Sequence, residues 1–352
     1  MLKSNLTIAI VRSSISELSS MGQFSALAIK DVLSKHYKRV DIVIINESAD
    51  LIALVSSRPD LVFLGMEFIP TNPELGIDDL DKIWLADYLE SNNIAHTGSS
   101  YLAYQLGRDK HLAKQRVLSS GLKTAPFMVI KRDQVITKNE LSLNFPLFIN
   151  PLNRGGGLGI DANSVVTDFN QLLSKTKSIA NVHHSDSLIE EYLPGREFSV
   201  AILKDDPIDD NNHYSVMPIE LIAPLNAHGS RILSSAVKSA NTEAAIAVDD
   251  EVLKAHVSEL ALNVFQALGA SDYGRIDIRL DRFNVAHFLE VNLIPSLISG
   301  YGSFPKACVL NIGMNYEAMM LRIVKLGLAH NLLAIAEPIH QTILNIIPAP
   351  AQ

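Results

Sequence analysis

One cysteine in 352 residues rules out a disulfide framework, and no Cys/His array at zinc-ligand spacing accompanies it. Charged residues are scarce at 19% and aromatics at 6%. No apolar run reaches the ~18 uninterrupted residues that mark a membrane span, and MLKSNLTIAIVRSS turns polar after a short apolar stretch. The formal net charge of −8 argues against broad binding to a phosphate backbone. Nucleic acid and membrane are therefore not expected partners, and a reducing, cytoplasmic compartment is. What is abundant is aliphatic: 47% of the chain is hydrophobic, dominated by Val, Ile, Leu and Ala, a balance that suits buried sheets flanked by helices.

At roughly 100–200 residues per domain the length predicts two or three domains. A β-branched run at 6–11 and short apolar runs at 40–45 and 61–64 alternate with stretches of helical spacing such as Phe24, Leu27, Ala28 and Val32, and 82–90 leads into 94–97. That rhythm predicts a parallel α/β domain over 1–105, because parallel strands need crossover helices. No GxGxxG follows the first strand, so a dinucleotide reading has little support there. After Arg108 the rhythm changes to a helix, short strands near 127–130 and 147–149, a glycine cluster, a strand and helix over 165–179, and a strand at 187–192. This predicts a small α+β middle domain over 106–194. From 195 to 352, FSVAIL, YSVMPIELI, YGRIDIRL and VAHFLEV read as an antiparallel sheet, with helices at 252–268 and 315–329.

The chemistry concentrates in YGRIDIRLD and FLEVNLIPS. Alternation along a strand puts Arg275 and Asp277 on one face, and Glu290 and Asn292 on one face with Leu289 and Val291 opposite. A turn at 281–284 makes the two strands a hairpin that brings Asp277, Glu290 and Asn292 together. Two carboxylates and an amide oxygen suit a hard cation such as Mg²⁺, with Mn²⁺ as a substitute; a solvated salt-bridge ladder around Arg275 and Arg279 is the plainer alternative. FPLFINPLNRGGGLGI offers a glycine loop whose amides close over phosphates, or simply a tight turn. SLIEEYLPGREFSV runs a strand through two carboxylates into a turn. It suits adenine and ribose recognition, or an acidic hinge between domains.

Taken in order, these blocks resemble the ATP-grasp superfamily, and within it the D-alanine–D-alanine ligase type, from TGSSYLAYQLGRDKHLAKQ to GSFP. The resemblance implies a three-domain α/β and α+β architecture, ATP as nucleotide, and small-molecule carboxylate and amine substrates. It leaves room for a homodimer. Lys110 matches a phosphate-binding lysine, and Gly155, Gly156 and Gly157 match the flexible phosphate loop. Glu190, Glu191 and Leu193 match the adenine-contacting hinge, the latter two chiefly through backbone, and Glu197 matches the ribose glutamate. Asp277, Glu290 and Asn292 match the metal ligands, Arg275 the oxyanion-stabilising arginine, and Lys238 a lysine near the γ-phosphate. Glu17 falls where these ligases hold the first substrate's ammonium group. Gly302 and Ser303 fall where they hold the second substrate's carboxylate.

Departures concentrate around the substrates. Asn150 stands where the family usually has a second nucleotide lysine, an amide has no charge to offer, and neighbouring Arg154 is the candidate to replace it. The loop reads GGG in place of serines, LGMEFIPTNPELGIDD replaces the HG...GEDG stretch, and the spacing from Pro295 to Pro305 is one residue longer. Ligase chemistry thus transfers better than D-alanine specificity. The implied reaction has a carboxylate attack the γ-phosphate to give an acyl phosphate and ADP, after which an amine attacks the carbonyl. Alternatives are a genuine D-alanine–D-alanine ligase with unusual loops, and a nucleotide-binding regulator without turnover. Cys308 is expected to be a buried apolar residue, and His183 and His184 exposed loop residues.

Overall fold

The computed structural model describes residues 3–207, 213–226 and 229–344. Near the N-terminus, β1 (Ser4–Arg12), α1 (Gln23–Leu33), β2 (Tyr37–Ile44), α2 (Ser48–Ser56) and β3 (Leu61–Leu64) form a parallel sheet of order β2-β1-β3. Leu61, Val62, Phe63 and Leu64 are all buried, as expected of a strand covered on both faces. Residues 94–97 do not form a full fourth strand. They meet the sheet in a single parallel bridge, Val62 to His96, with Asn93 and Gly98 in left-handed turns at either end. The segment between contains a small antiparallel pair that periodicity did not reveal, β4 (Phe68–Pro70) and β5 (Lys82–Trp84), then α3 (Leu85–Ser91).

The expected single helix before 118 is two helices, α4 (Tyr101–Arg108) and α5 (Lys110–Ser119). The break falls at Asp109, whose carboxylate accepts from the Leu112 amide and caps α5, opening that helix at Lys110. Next come β6 (Phe127–Ile130), β7 (Leu147–Pro151), β8 (Val165–Val166), α6 (Phe169–His183) and β9 (Ser187–Glu191), with sheet order β6-β9-β7-β8. This antiparallel sheet has its own apolar cluster, including Ile130, Leu147, Ile149, Leu172, Ile179 and Ile189.

A five-stranded antiparallel sheet follows, in order β12-β11-β10-β13-β14. Its elements are β10 (Glu197–Lys204), β11 (Tyr214–Ile222), α7 (Ser235–Ala240), β12 (Ala244–Ala247), α8 (Glu251–Ala267), β13 (Tyr273–Leu280) and β14 (Ala286–Asn292). After it come α9 (Ser303–Ile312) and α10 (Tyr316–Leu344), the latter running past the expected end at 329. One apolar cluster joins Val11 and Leu64 of the parallel sheet to Phe198, Val264 and Ile276 around the five-stranded sheet. Each fully buried aliphatic or aromatic side chain there contributes about 1.5–3 kcal/mol. The parallel and five-stranded sheets thus hold one another, while the four-stranded sheet packs on a core of its own. Among the described residues no helix is long and apolar enough to cross a membrane.

Candidate active site

A cavity of about 570 Å³ lies where the four- and five-stranded sheets face each other, closed on a third side by 16–20 and by Glu67 and Phe68. Every residue singled out from the sequence lines it: Glu17, Lys110, Asn150, Arg154, the three glycines, Glu190, Glu191, Leu193, Glu197, Lys238, Arg275, Asp277, Glu290, Asn292, Gly302 and Ser303.

The β13–β14 hairpin supplies its charged floor. Arg275 lies opposite Asn292 and Asp277 opposite Glu290. The turn forms because the Asp281 carboxylate accepts from the Phe283 and Val285 amides while Asn284 takes the left-handed conformation. One feature departs from simple alternation: the register shifts after Asp277, so Ile278 pairs with Phe288 and Leu289 is the extra residue of a bulge. Leu289 therefore reaches the cavity beside Glu290, although alternation assigned it to the other face.

Arg275 and Asp277 form a buried bidentate pair, Nε to Oδ1 at 3.0 Å and Nη2 to Oδ2 at 2.8 Å. The Ser199 hydroxyl donates to Oδ1 at 2.8 Å and the Asn292 amide to Oδ2 at 3.3 Å. Burial disfavours the charge on Arg275, but Asp277 more than reverses this and holds the guanidinium above its ordinary pKa. Burial raises Glu290 too, and the cations Lys110, Lys238 and Arg275 outweigh it, leaving its carboxyl below the usual range. Three cations thus face two carboxylates, a floor with a net pull on a polyanion.

Lys110 is the first residue of α5, and its ammonium donates to the carbonyls of Arg154 at 3.0 Å and Pro151 at 3.4 Å. It therefore grips the backbone that leads into the glycine loop; burial lowers its pKa, against the pull of Glu290 and Glu190. Gly156 and Gly157 are left-handed, at φ +65° and +81°. A Cβ on Gly157 would come within 3.0 Å of the Ser235 nitrogen, so the loop rests on the start of α7, whereas Gly155 and Gly156 face open space. That helix carries Lys238, and the Tyr301 hydroxyl donates to the Lys238 carbonyl.

In the connector, Glu190 is buried beside Lys114, with Nζ 2.7 Å from Oε1 but off the hydrogen-bonding direction. Lys114 is 1% exposed and donates to Thr124 Oγ1 at 2.9 Å. Sequence reasoning passed over this lysine; its i+4 spacing from Lys110 on one helix face was the available signal. The Glu191 side chain turns to Asn144, accepting from its backbone and side-chain nitrogens. Glu197 accepts from Arg279 at 3.0 Å, and burial still pushes its carboxyl up. Also unforeseen is Glu67, paired with Arg108 at 3.3 Å and raised by burial.

Arg154 is neither solvent-facing nor directed at Asn150. Its guanidinium makes a bidentate pair with Asp78, at 2.8 and 2.9 Å, and donates to the His183 carbonyl at 2.6 Å. Asn150 is buried, and its Oδ1 has no hydrogen-bond partner among the described residues. Cys308 is fully buried, and burial pushes its thiol up to about 12.

The D-ala D-ala ligase C-terminus family model matches residues 117–325, more than half of the chain. The chain belongs to this family. A 276-residue stretch is 28% identical to a D-alanine–D-alanine ligase of Pelobacter propionicus, covering 77% of this chain and 80% of that one. Over 249 residues it is 27% identical to the corresponding ligase of Acinetobacter baylyi, covering 69% and 75%. Over 238 residues it is 29% identical to the uncharacterized protein y4sG of Sinorhizobium fredii, covering 66% of each. The fold matches the D-alanine–D-alanine ligase from Bacillus anthracis complexed with ATP, with a TM-score of 0.72 at 19% identity over 94% of this chain and 100% of that one. The family member described here is an ATP-dependent ligase with the ATP-grasp fold.

Proposed function

We propose that this ligase joins the carboxylate of one small molecule, an amino acid in the simplest case, to the amine of another through an acyl phosphate, releasing ADP and phosphate. The observation that carries the reading is the convergence, in one cavity, of a cation-rich hairpin floor, a glycine loop and a connector with a buried glutamate. In this reading ATP lies between the four- and five-stranded sheets, its ribose hydroxyls on Glu197 and its phosphates over Lys110, Lys238 and the loop amides.

Mg²⁺ suits the donor set, which is all oxygen: Glu290, Asp277 and the Asn292 amide. The described residues hold no group of three or more His, Cys, Asp or Glu side chains suited to a metal, so the remaining ligands would come from phosphate oxygens and water, as is usual for this ion. Bound there, it would polarise the γ-phosphoryl group. Arg275, kept charged and oriented by Asp277, would stabilise the oxyanion that develops when the amine attacks. Gly155 and Gly156, backbone without side chains, would exclude water from the acyl phosphate. Glu17 would receive the first substrate's ammonium, and Gly302 and Ser303 the second substrate's carboxylate. A separate division of the chain into 1–105, 106–194 and 195–352 goes with this reading.

The test is ADP release across a panel of amino-acid pairs of both chiralities, with mass detection of the condensed product. Product with D-alanine alone would mark a D-alanine–D-alanine ligase with altered loops. No ADP formation from any pair, with ATP binding intact, would replace the ligase reading with a nucleotide-binding regulator. A narrower prediction concerns Glu197. Arg279 is also held by the Gly195 and Arg231 carbonyls and the Tyr192 hydroxyl, so it stays in place when its carboxylate partner is removed. Glu197→Ala is then expected to weaken ADP binding by about 1.5–3 kcal/mol, the worth of hydrogen bonds to a charged group. Unchanged affinity by calorimetry would move the ribose elsewhere.

A further inference from the structure

Nearly every carboxylate around the cavity has a protein partner. Asp277 has Arg275, Glu197 has Arg279, Glu67 has Arg108 and Glu190 has Lys114. Glu191 has Asn144, and Glu290 lies among Lys110, Lys238 and Arg275. Two remain: Glu17, which is exposed to water, and Glu243, which lines the cavity just before β12. Glu243 is half-buried, with one carboxylate oxygen shut off from water. Its Oε2 is buried and has no hydrogen-bond partner among the described residues. A carboxylate oxygen withdrawn from water without a donor is costly, and such a group calls for an occupant.

The position of Glu243 says which occupant. Glu243 follows the end of α7 by three residues, and the Tyr301 hydroxyl donates to the carbonyl of Lys238 on that helix; Tyr301 itself is raised first by burial and then by Glu243. Tyr301 precedes Gly302 and Ser303, where α9 begins. Glu243, Tyr301, Gly302 and Ser303 line one cavity, so Glu243 stands on its α7 side, toward the start of α9.

We propose that Glu243 is a specificity-determining residue that binds a second cationic group, an ammonium or guanidinium, on the side chain of the amine substrate. This rests on the ligase reading, in which that substrate's carboxylate lies at Gly302 and Ser303. The amine that attacks the acyl phosphate must be neutral to use its lone pair, so it is not the cation that a carboxylate retains. The substrate class is a dibasic amino acid, and the chain discriminates it from neutral amino acids of the same length by leaving Glu243 unpaired with the latter.

The experiment compares 2,4-diaminobutyrate, ornithine, lysine and arginine with norvaline and norleucine, each in both enantiomers. Binding to the full chain loaded with ADP and Mg²⁺ is measured by calorimetry, and turnover by ADP release. At least one dibasic probe is expected to bind roughly 10-fold or more tighter than its neutral counterpart, and Glu243→Gln to erase that ratio. Glu243→Lys is expected to reverse it toward glutamate. Absence of any preference in the unmodified protein overturns the proposal, as does a ratio that survives Glu243→Gln. Equal loss of kcat for all amines in Glu243→Gln would make it a proton acceptor and also overturn the proposal. Preferential binding without ADP formation from any pair would sink the ligase reading and leave the cation site standing; turnover of neutral amines with no dibasic preference would do the reverse.

Discussion

Glu290→Gln is expected to reduce substrate-dependent ADP formation by roughly 10²–10³-fold, the scale seen when one preorganised electrostatic group is lost from a reacting centre. The loss follows from its setting. Glu290 is the carboxylate around which Lys110, Lys238 and Arg275 are gathered, and their charge keeps it ionised despite burial. A neutral amide would leave those cations facing one another and remove a ligand from the oxygen set. The substitution is nearly isosteric, so thermal melting should show the protein folded. Asp277→Asn is a less clean partner experiment. Asp277 is bonded through both oxygens to Arg275, and removing one member of a buried pair costs about 3–5 kcal/mol because the other charge is left behind. Retention of full ADP release by Glu290→Gln would place the metal and phosphates away from this hairpin.

The second large effect is expected at Arg154, through Asp78. The four-stranded sheet has its own apolar cluster, and the glycine loop leaves it beside a bidentate ion pair that reaches back to the N-terminal segment. Lys110 holds the Arg154 carbonyl from a third direction. Arg154 is thus expected to position the loop rather than replace the charge missing at Asn150. Arg154→Ala and Asp78→Ala should each raise KM for ATP by a similar factor, about tenfold if the pair is worth ~1.4 kcal/mol. The double variant should be little worse than either single one, a coupling of about 1.4 kcal/mol. A direct phosphate contact predicts another pattern, in which Arg154→Ala is severe and Asp78→Ala mild. Asn150→Lys adds a contrast: with Arg154 turned to Asp78, a new ammonium at 150 meets no crowding from that guanidinium and is expected to tighten ATP binding.

Much of this site was legible in the chain because its parts are local. Period-two alternation through YGRIDIRL and FLEV, with a turn-forming Asp281 between them, was enough to bring Asp277 opposite Glu290. The glycine run announced a backbone without side chains, and two of its residues adopt the left-handed conformation that only glycine takes without strain. The error at Leu289 has an equally local cause: a bulge adds one residue to a strand without changing its hydrophobic pattern, so alternation misassigns a face. The fourth N-terminal strand shrank to one bridge because its apolar run lies between two left-handed turns, which leave too few extended residues to pair further.

By itself the sequence determined the strand and helix periods, the order of the motif blocks and the chemical types gathered in the cavity, since these depend on residues within a few positions of one another. Arg275 and Asp277 are neighbours on one strand face, but the partners of the other buried charges were decided by the tertiary structure. Arg154 and Asp78 stand 76 positions apart, Glu197 and Arg279 82 apart, and Glu190 on β9 meets Lys114 on α5. Nothing in the spacing of such residues encodes their meeting. It arises where independently formed surfaces are packed together, and burial then makes each pairing, or each carboxylate left without one, energetically consequential.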